Sequence, residues 1–175
     1  MQNYEFKGRF STYAKELCEE VSENRPSLFS EYVELYMVSA LYGLLNDKFT
    51  KYNQDVDGKD PGPVIREAVF INASSKYLFF RQTMIISETK RGFSAKERID
   101  YALRFDMPVD SSTHDVFKNQ SKYDENTEII NGYVLGGLEA LYNKYHDSRN
   151  VEDLITDIID TKKEFEEDTG LLKKK

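Results

Sequence analysis

The side chains in this sequence with the right chemistry for catalysis are few: two histidines, His114 and His146, and one cysteine, Cys18. No Glu-x-x-His, His-Glu-x-x-His or Cys-x-x-Cys spacing is present, so the sequence supports neither a di-iron bundle nor a zinc site, and no Gly-rich phosphate loop occurs. Ser87-Glu-Thr-Lys90 matches the Ser-x-x-Lys pattern of some acyl transferases. Two fixed positions recur by chance, and the companion motifs are absent. Cys18 falls on the apolar stripe of a helix, which suits a small hydrophobe better than a nucleophile. Asp55, Asp57 and Asp60 alternate around Gly58, a calcium-like arrangement. An EF-hand needs glycine at position 6 and glutamate at position 12, and counting from Asp55 puts Gly58 at position 4 and Arg66 at position 12. The loop therefore reads as an ordinary turn. These observations lean away from an enzyme and call for no cofactor or metal, although the 31 acidic residues leave a paired-carboxylate site open.

Binding is a better prospect. Lys90, Arg91, Lys96, Arg98 and Arg104 form the most basic neighbourhood, with Arg81 upstream. The ordinary reading is a solvated helix and loop; the sharper one is a contact for nucleic acid or an acidic partner. The net charge of -7 disfavours diffuse binding to a phosphate backbone, which draws on a basic face.

A different pattern runs from Glu128 to Tyr145. Ile129/Ile130, Tyr133/Val134, Leu138, Leu141/Tyr142 and Tyr145 mark one face of a helix, and Gly132, Gly136, Gly137 and Ala140 interrupt it with small residues. Glycine inside a helix costs about 1 kcal/mol relative to alanine, so close approach of another backbone is expected there, with a ligand or partner surface in the groove beside Gly132 to Ala140 as the functional alternative. Gly43, beside Ala40 in the segment from Tyr32 to Leu45, offers the matching small surface.

These features need elements to position them. Phe10, Tyr13/Ala14, Leu17/Cys18 and Val21 predict a helix over 10–24, with Ser11 or Thr12 as its N-cap and Pro26 beyond its end. A second helix is expected from about Ser30 to Asn46, then a loop from Thr50 to Pro63. Pro63 suits the first turn of a helix that continues through Ile71. Tyr77, Phe80, Met84 and Ile85 favour a helix from about Ser75 to Glu88, although the aromatic and β-branched content also suits a strand. Ser94 and Glu97 form a capping box that opens a helix to about Phe105. Residues 107–122 read as a polar loop with at most one helical turn, and the glycine-containing helix is expected from Asn126. Asn150 would cap a last helix carrying Val151, Leu154/Ile155 and Ile158/Ile159, before a frayed, charged tail.

The expectation is an all-α single domain of about six or seven helices over 1–165, with a tail at 166–175. A chain of this length buries roughly two thirds of its unfolded surface, enough to fold without a disulfide. No signal peptide or membrane-spanning run is apparent, which predicts a cytoplasmic protein with no membrane partner.

Two of these segments also carry a likeness. The stretch Leu28-Phe-Ser-Glu-Tyr-Val-Glu-Leu-Tyr-Met-Val-Ser-Ala-Leu-Tyr-Gly-Leu-Leu45 and the later Asn131-Gly-Tyr-Val-Leu-Gly-Gly-Leu-Glu-Ala-Leu-Tyr142 resemble the small helical proteins associated with bacterial DNA-phosphorothioation (Dnd) modification and restriction systems. The shared pattern is an apolar helix ending in Ala-x-x-Gly and a later helix with Gly-Gly-Leu. The resemblance implies an accessory role in DNA modification or phage defence, exercised through a protein partner or DNA. It carries no catalytic residues.

Overall fold

The structure is a computed structural model that describes residues 3–19, 27–105 and 116–146, together with positions 156 and 160. Seven α-helices and one two-stranded ribbon are found among the described residues: β1 (Tyr4–Glu5), α1 (Arg9–Cys18), α2 (Tyr32–Leu45), α3 (Gln54–Asp57), β2 (Val64–Ile65), α4 (Glu67–Asn72), α5 (Ser74–Ser87), α6 (Ala95–Asp100) and α7 (Val116–Tyr145). A π-helical turn, Tyr101–Phe105, continues α6. The fold is all-α, as the helical periodicities predict, and the ambiguous stretch around Tyr77 is helix. No helix among the described residues is long and apolar enough to cross a membrane.

Helices α2 and α7 form the central pair. Their shared core comprises Leu35, Tyr36 and Ala40 from α2 with Tyr133, Val134, Leu138 and Leu141 from α7, all buried. Each large apolar side chain so enclosed contributes roughly 1.5–3 kcal/mol relative to leaving it in water. Contact is close because Gly43 and Gly137 face each other. A Cβ on Gly137 would run into the Ser39 carbonyl and within 2.7 Å of the Gly43 nitrogen; one on Gly43 would meet the Tyr133 carbonyl. The other two glycines have a different partner. Helix α2 ends in a Schellman turn, with Lys48 N–H donating to Gly43 C=O at 2.7 Å and Asp47 in the left-handed region at φ 58°. The chain then lies along α7: Phe49 covers Gly132, Lys48 C=O and Phe49 N press on Gly136, and Thr50 N–H donates to Gly132 C=O at 3.0 Å. Gly132 and Gly136 thus accommodate the extended segment after α2 rather than α2 itself. Ala140 is half-buried at the edge of this contact.

Several boundaries depart from the sequence expectation. Helix α1 begins at Arg9 after Gly8, and Ser11 is buried and donates its hydroxyl to Pro61 C=O at 3.3 Å instead of capping. Gly8 is required here: its φ is 56°, and a Cβ would strike the Asp57 carbonyl. Pro63 does not start a helix. Phe6 N–H donates to Pro63 C=O, Val64–Ile65 pairs antiparallel with β1, and α4 begins only at Glu67. Helix α7 starts ten residues before the expected Asn126, since Val116 begins it, so residues 116–122 of the presumed polar loop are helix with a weak amphipathic signal, and the rest of that loop lies outside the described residues. Within the acidic loop, α3 forms a single turn capped by the Asn53 side chain. The expected last helix from Asn150, the tail and His114 lie outside the described residues, apart from helical positions Thr156 and Asp160.

Candidate functional site

The basic segment folds as the turn after α5, then α6 and the π-helical turn, and its cations fare differently. Arg91 lies inside the protein. Its Nε donates to the Glu88 carboxylate at 3.0 Å, its Nη1 donates to Asn126 Oδ1 at 3.1 Å, and its guanidinium stands over the Phe93 and Tyr101 rings. Glu88 is buried and also accepts the backbone N–H of Lys90 at 2.6 Å and the Tyr133 hydroxyl at 3.4 Å. Arg98 donates to Glu88 C=O at 3.4 Å. Lys90 pairs with Asp47, and the exposed Arg104 pairs with Asp100 at 3.3 Å. Lys96 is exposed. The five cations therefore do not form one free basic face: Arg91 ties α5 to α7, and Lys90 ties α5 to the end of α2. Ser94 and Glu97 complete the predicted capping box, and the Ser94 hydroxyl and N–H hold the Glu97 carboxyl below its ordinary range.

Two further charges, Asp57 and Arg81, are buried. Asp57 accepts from Arg9 Nε at 2.7 Å and from Asn53 N–H at 2.7 Å, while Arg9 Nη1 reaches Glu139 at 2.5 Å. The acidic loop, expected to be an ordinary turn, is thereby pinned to α1 and α7 through a buried carboxylate. Arg81 is 1% exposed on α5. It donates to Thr127 Oγ1 at 3.1 Å and Tyr77 Oη at 3.4 Å, with its guanidinium 4.3 Å from the Tyr123 ring centre. The signal for Arg81 was present: it shares the helical stripe of Tyr77, Phe80, Met84 and Ile85, so a residue type that is nearly always exposed stands on an inward face.

Beside Arg81 lies a small chamber of about 80 Å³, lined by Tyr4, Tyr36, Tyr77, Tyr123, Asp124 and Asn131 among others. Tyr36 donates its hydroxyl to Asn131 Oδ1 at 2.9 Å, and burial holds its phenol well above the ordinary value. Asn3, Tyr4 and Asn131 are shared with an outer cleft of about 490 Å³ that also takes in Glu5, Lys7, Tyr52, Val64 and Leu135. The chamber and cleft form one recess between the ribbon and α7. Its donors and acceptors are amides, hydroxyls and rings, which suit recognition by hydrogen bonding and stacking.

Cys18 and His146 are placed elsewhere. Cys18 is half-buried at the end of α1, and burial, with Glu19 and Glu34 nearby, pushes its thiol up to about 12, so thiolate is scarce at neutral pH. His146 stacks on Tyr142 beyond the far end of α7. Among the described residues, no cluster of three or more His, Cys, Asp or Glu side chains is arranged to hold a metal.

Neither a protein-family model, nor a curated protein, nor a solved structure matches this chain.

Proposed function

We propose that the chain is a cytoplasmic, non-enzymatic protein-interaction module, an accessory factor of a bacterial DNA modification or phage-defence system. The observation that carries this reading is a set of exposed large apolar side chains on elements that pack together. Phe79 is 71% exposed on α5, with Ile86 two turns along on the same face, and Ile99 and Leu103 are exposed on α6 and the π-helical turn that pack against α5. Large apolar side chains gathered on adjoining elements mark surfaces that another protein covers. The setting comes from the resemblance of Leu28–Leu45 and Asn131–Tyr142 to the Dnd-associated helical proteins. Direct DNA contact is the weaker alternative, because Arg91, Lys90 and Arg104 already face carboxylates and would release few counterions from a phosphate backbone.

The test is affinity capture of the tagged chain from its native cells, comparing wild type with Phe79→Asp. The variant should retain its thermal midpoint and lose the captured partner. Equal capture by both proteins would refute this face as the contact. A gel-shift titration over a range of salt runs in parallel, and salt-dependent binding at micromolar protein would favour the DNA reading instead.

A further inference from the structure

We infer that the recess between β1 and α7 docks an extended polypeptide segment of a partner, which adds to β1 at Glu5 and sets an uncharged side chain in the tyrosine-lined chamber. This rests on the interaction-module reading but uses a surface different from the Phe79 face.

The register identifies the class of ligand. Tyr4 pairs with Ile65 and Glu5 with Val64, while Phe6 N–H donates to Pro63 C=O. In an antiparallel ladder, hydrogen-bonded and non-hydrogen-bonded residues alternate, so Tyr4 and Phe6 bond across to β2 and Glu5 turns its N–H and C=O away. Those two groups have no partner among the described residues. An adjacent outward donor and acceptor on a strand edge complement the backbone of another extended chain. The nearby charges do not oppose such a chain, because Lys7 and Glu5 neutralise each other at 3.3 Å.

The chamber narrows the choice of side chain. A strand points alternate side chains to opposite faces, so a segment paired at Glu5 directs every second residue toward one side of the recess. Asn3 and Tyr4, next to Glu5, line both the cleft and the chamber, which places the chamber within reach of such a side chain. The Arg81 guanidinium behind Tyr77 and Thr127 and the Asp124 carboxylate on the lining offset each other, so a charged side chain gains no net attraction there to set against the cost of leaving water. An uncharged group avoids that cost. Asn131 Oδ1 is engaged by Tyr36, whereas Asn131 Nδ2 has no partner among the described residues and can donate to a carbonyl or hydroxyl on that side chain.

Panning a phage-displayed library of random short peptides against the full chain tests this directly. Enriched peptides should share one position restricted to uncharged residues, and their binding should slow amide exchange at Glu5. Glu5→Pro removes the outward N–H at an edge position that tolerates proline, together with the carboxylate that pairs with Lys7; relative to Glu5→Gln, which removes the charge alone, it should weaken these peptides roughly tenfold, the loss of one backbone hydrogen bond, at an unchanged thermal midpoint. Asp124→Asn should admit acidic residues at the restricted position. No enrichment above a blank surface would overturn the inference, as would peptides that leave Glu5 exchange unaltered. Should Glu5→Pro not fold, the exchange measurement on wild type decides. Either failure leaves the Phe79 capture result standing, so the two proposals fall separately.

Discussion

The two halves of α7 meet the rest of the molecule by different physics. From Gly132 to Leu141 the helix is packed by shape: missing side chains admit the α2 backbone and the Lys48–Thr50 segment, and apolar residues fill the rest. From Tyr123 to Asn131 polar contacts join the apolar packing of Ile129 and Ile130, as Asn126, Thr127 and Asn131 receive Arg91, Arg81 and Tyr36. A seam built by shape fails when something is added, because close-packed backbone has nowhere to move. A polar seam fails when one partner is removed, because the group left behind stays buried and unmatched.

The largest expected effect therefore belongs to an addition. Gly136→Leu would drive a side chain into the Lys48 carbonyl and the Phe49 nitrogen, both main-chain atoms. The expected loss exceeds about 3 kcal/mol, a fall of roughly 10 °C in thermal midpoint or a failure to fold. Ala140→Leu, one turn further and half-buried, should shift the midpoint by only a degree or two. Equal effects at the two positions would show that α7 is not gripped at Gly136.

A removal in the polar half should come next in size. Glu88→Leu leaves Arg91, whose side chain is 13% exposed, without its carboxylate, and also strips the acceptor from Lys90 N–H. About 2–3 kcal/mol should be lost in urea unfolding, toward the low end for a buried pair because Arg91 retains Asn126 and the rim carboxylate of Glu125 at 3.7 Å. Adding Arg91→Met should restore part of that loss, since removing both charges leaves none unpaired. Strictly additive losses would mean that the pair is not coupled.

The same contrast explains what could be read from the sequence. Small residues at helical spacing announce close packing, so the junction of Gly43 with Gly137 was legible, as was the helical class. Which segment would press on Gly132 and Gly136 was not, because the turn at Asp47 that redirects the chain onto α7 is made by a non-glycine residue in the left-handed region. Charge gives no comparable notice. Arg91 and Arg104 look alike in sequence, yet one is enclosed by Glu88, Asn126 and two aromatic rings while the other is exposed. The recess was invisible for a related reason: its wall is assembled from β1, β2, α2, α4, α5 and α7, and the pairing of Tyr4 with Ile65 spans some sixty residues.

The smallest expected effect concerns the capping box, a local device that neither half of α7 touches. Glu97 accepts from Ser94 N–H at 2.8 Å and from the Ser94 hydroxyl at 2.8 Å, and these bonds favour its ionised form. Because its folded pKa lies below the ordinary value of 4.5, the associated stability is complete above pH 4.5 and is lost as pH falls through the folded value. Ser94→Ala should lower the thermal midpoint by about 2 °C at neutral pH. The gap from wild type should hold down to about pH 4.5 and narrow below it. It should not close, because Ser94 Oγ also accepts the Glu97 backbone N–H at 3.3 Å, a bond that does not titrate. A gap independent of pH would mean that the bond from the Ser94 hydroxyl to the Glu97 carboxylate contributes nothing, since the backbone N–H that also holds this carboxylate is the same in both proteins.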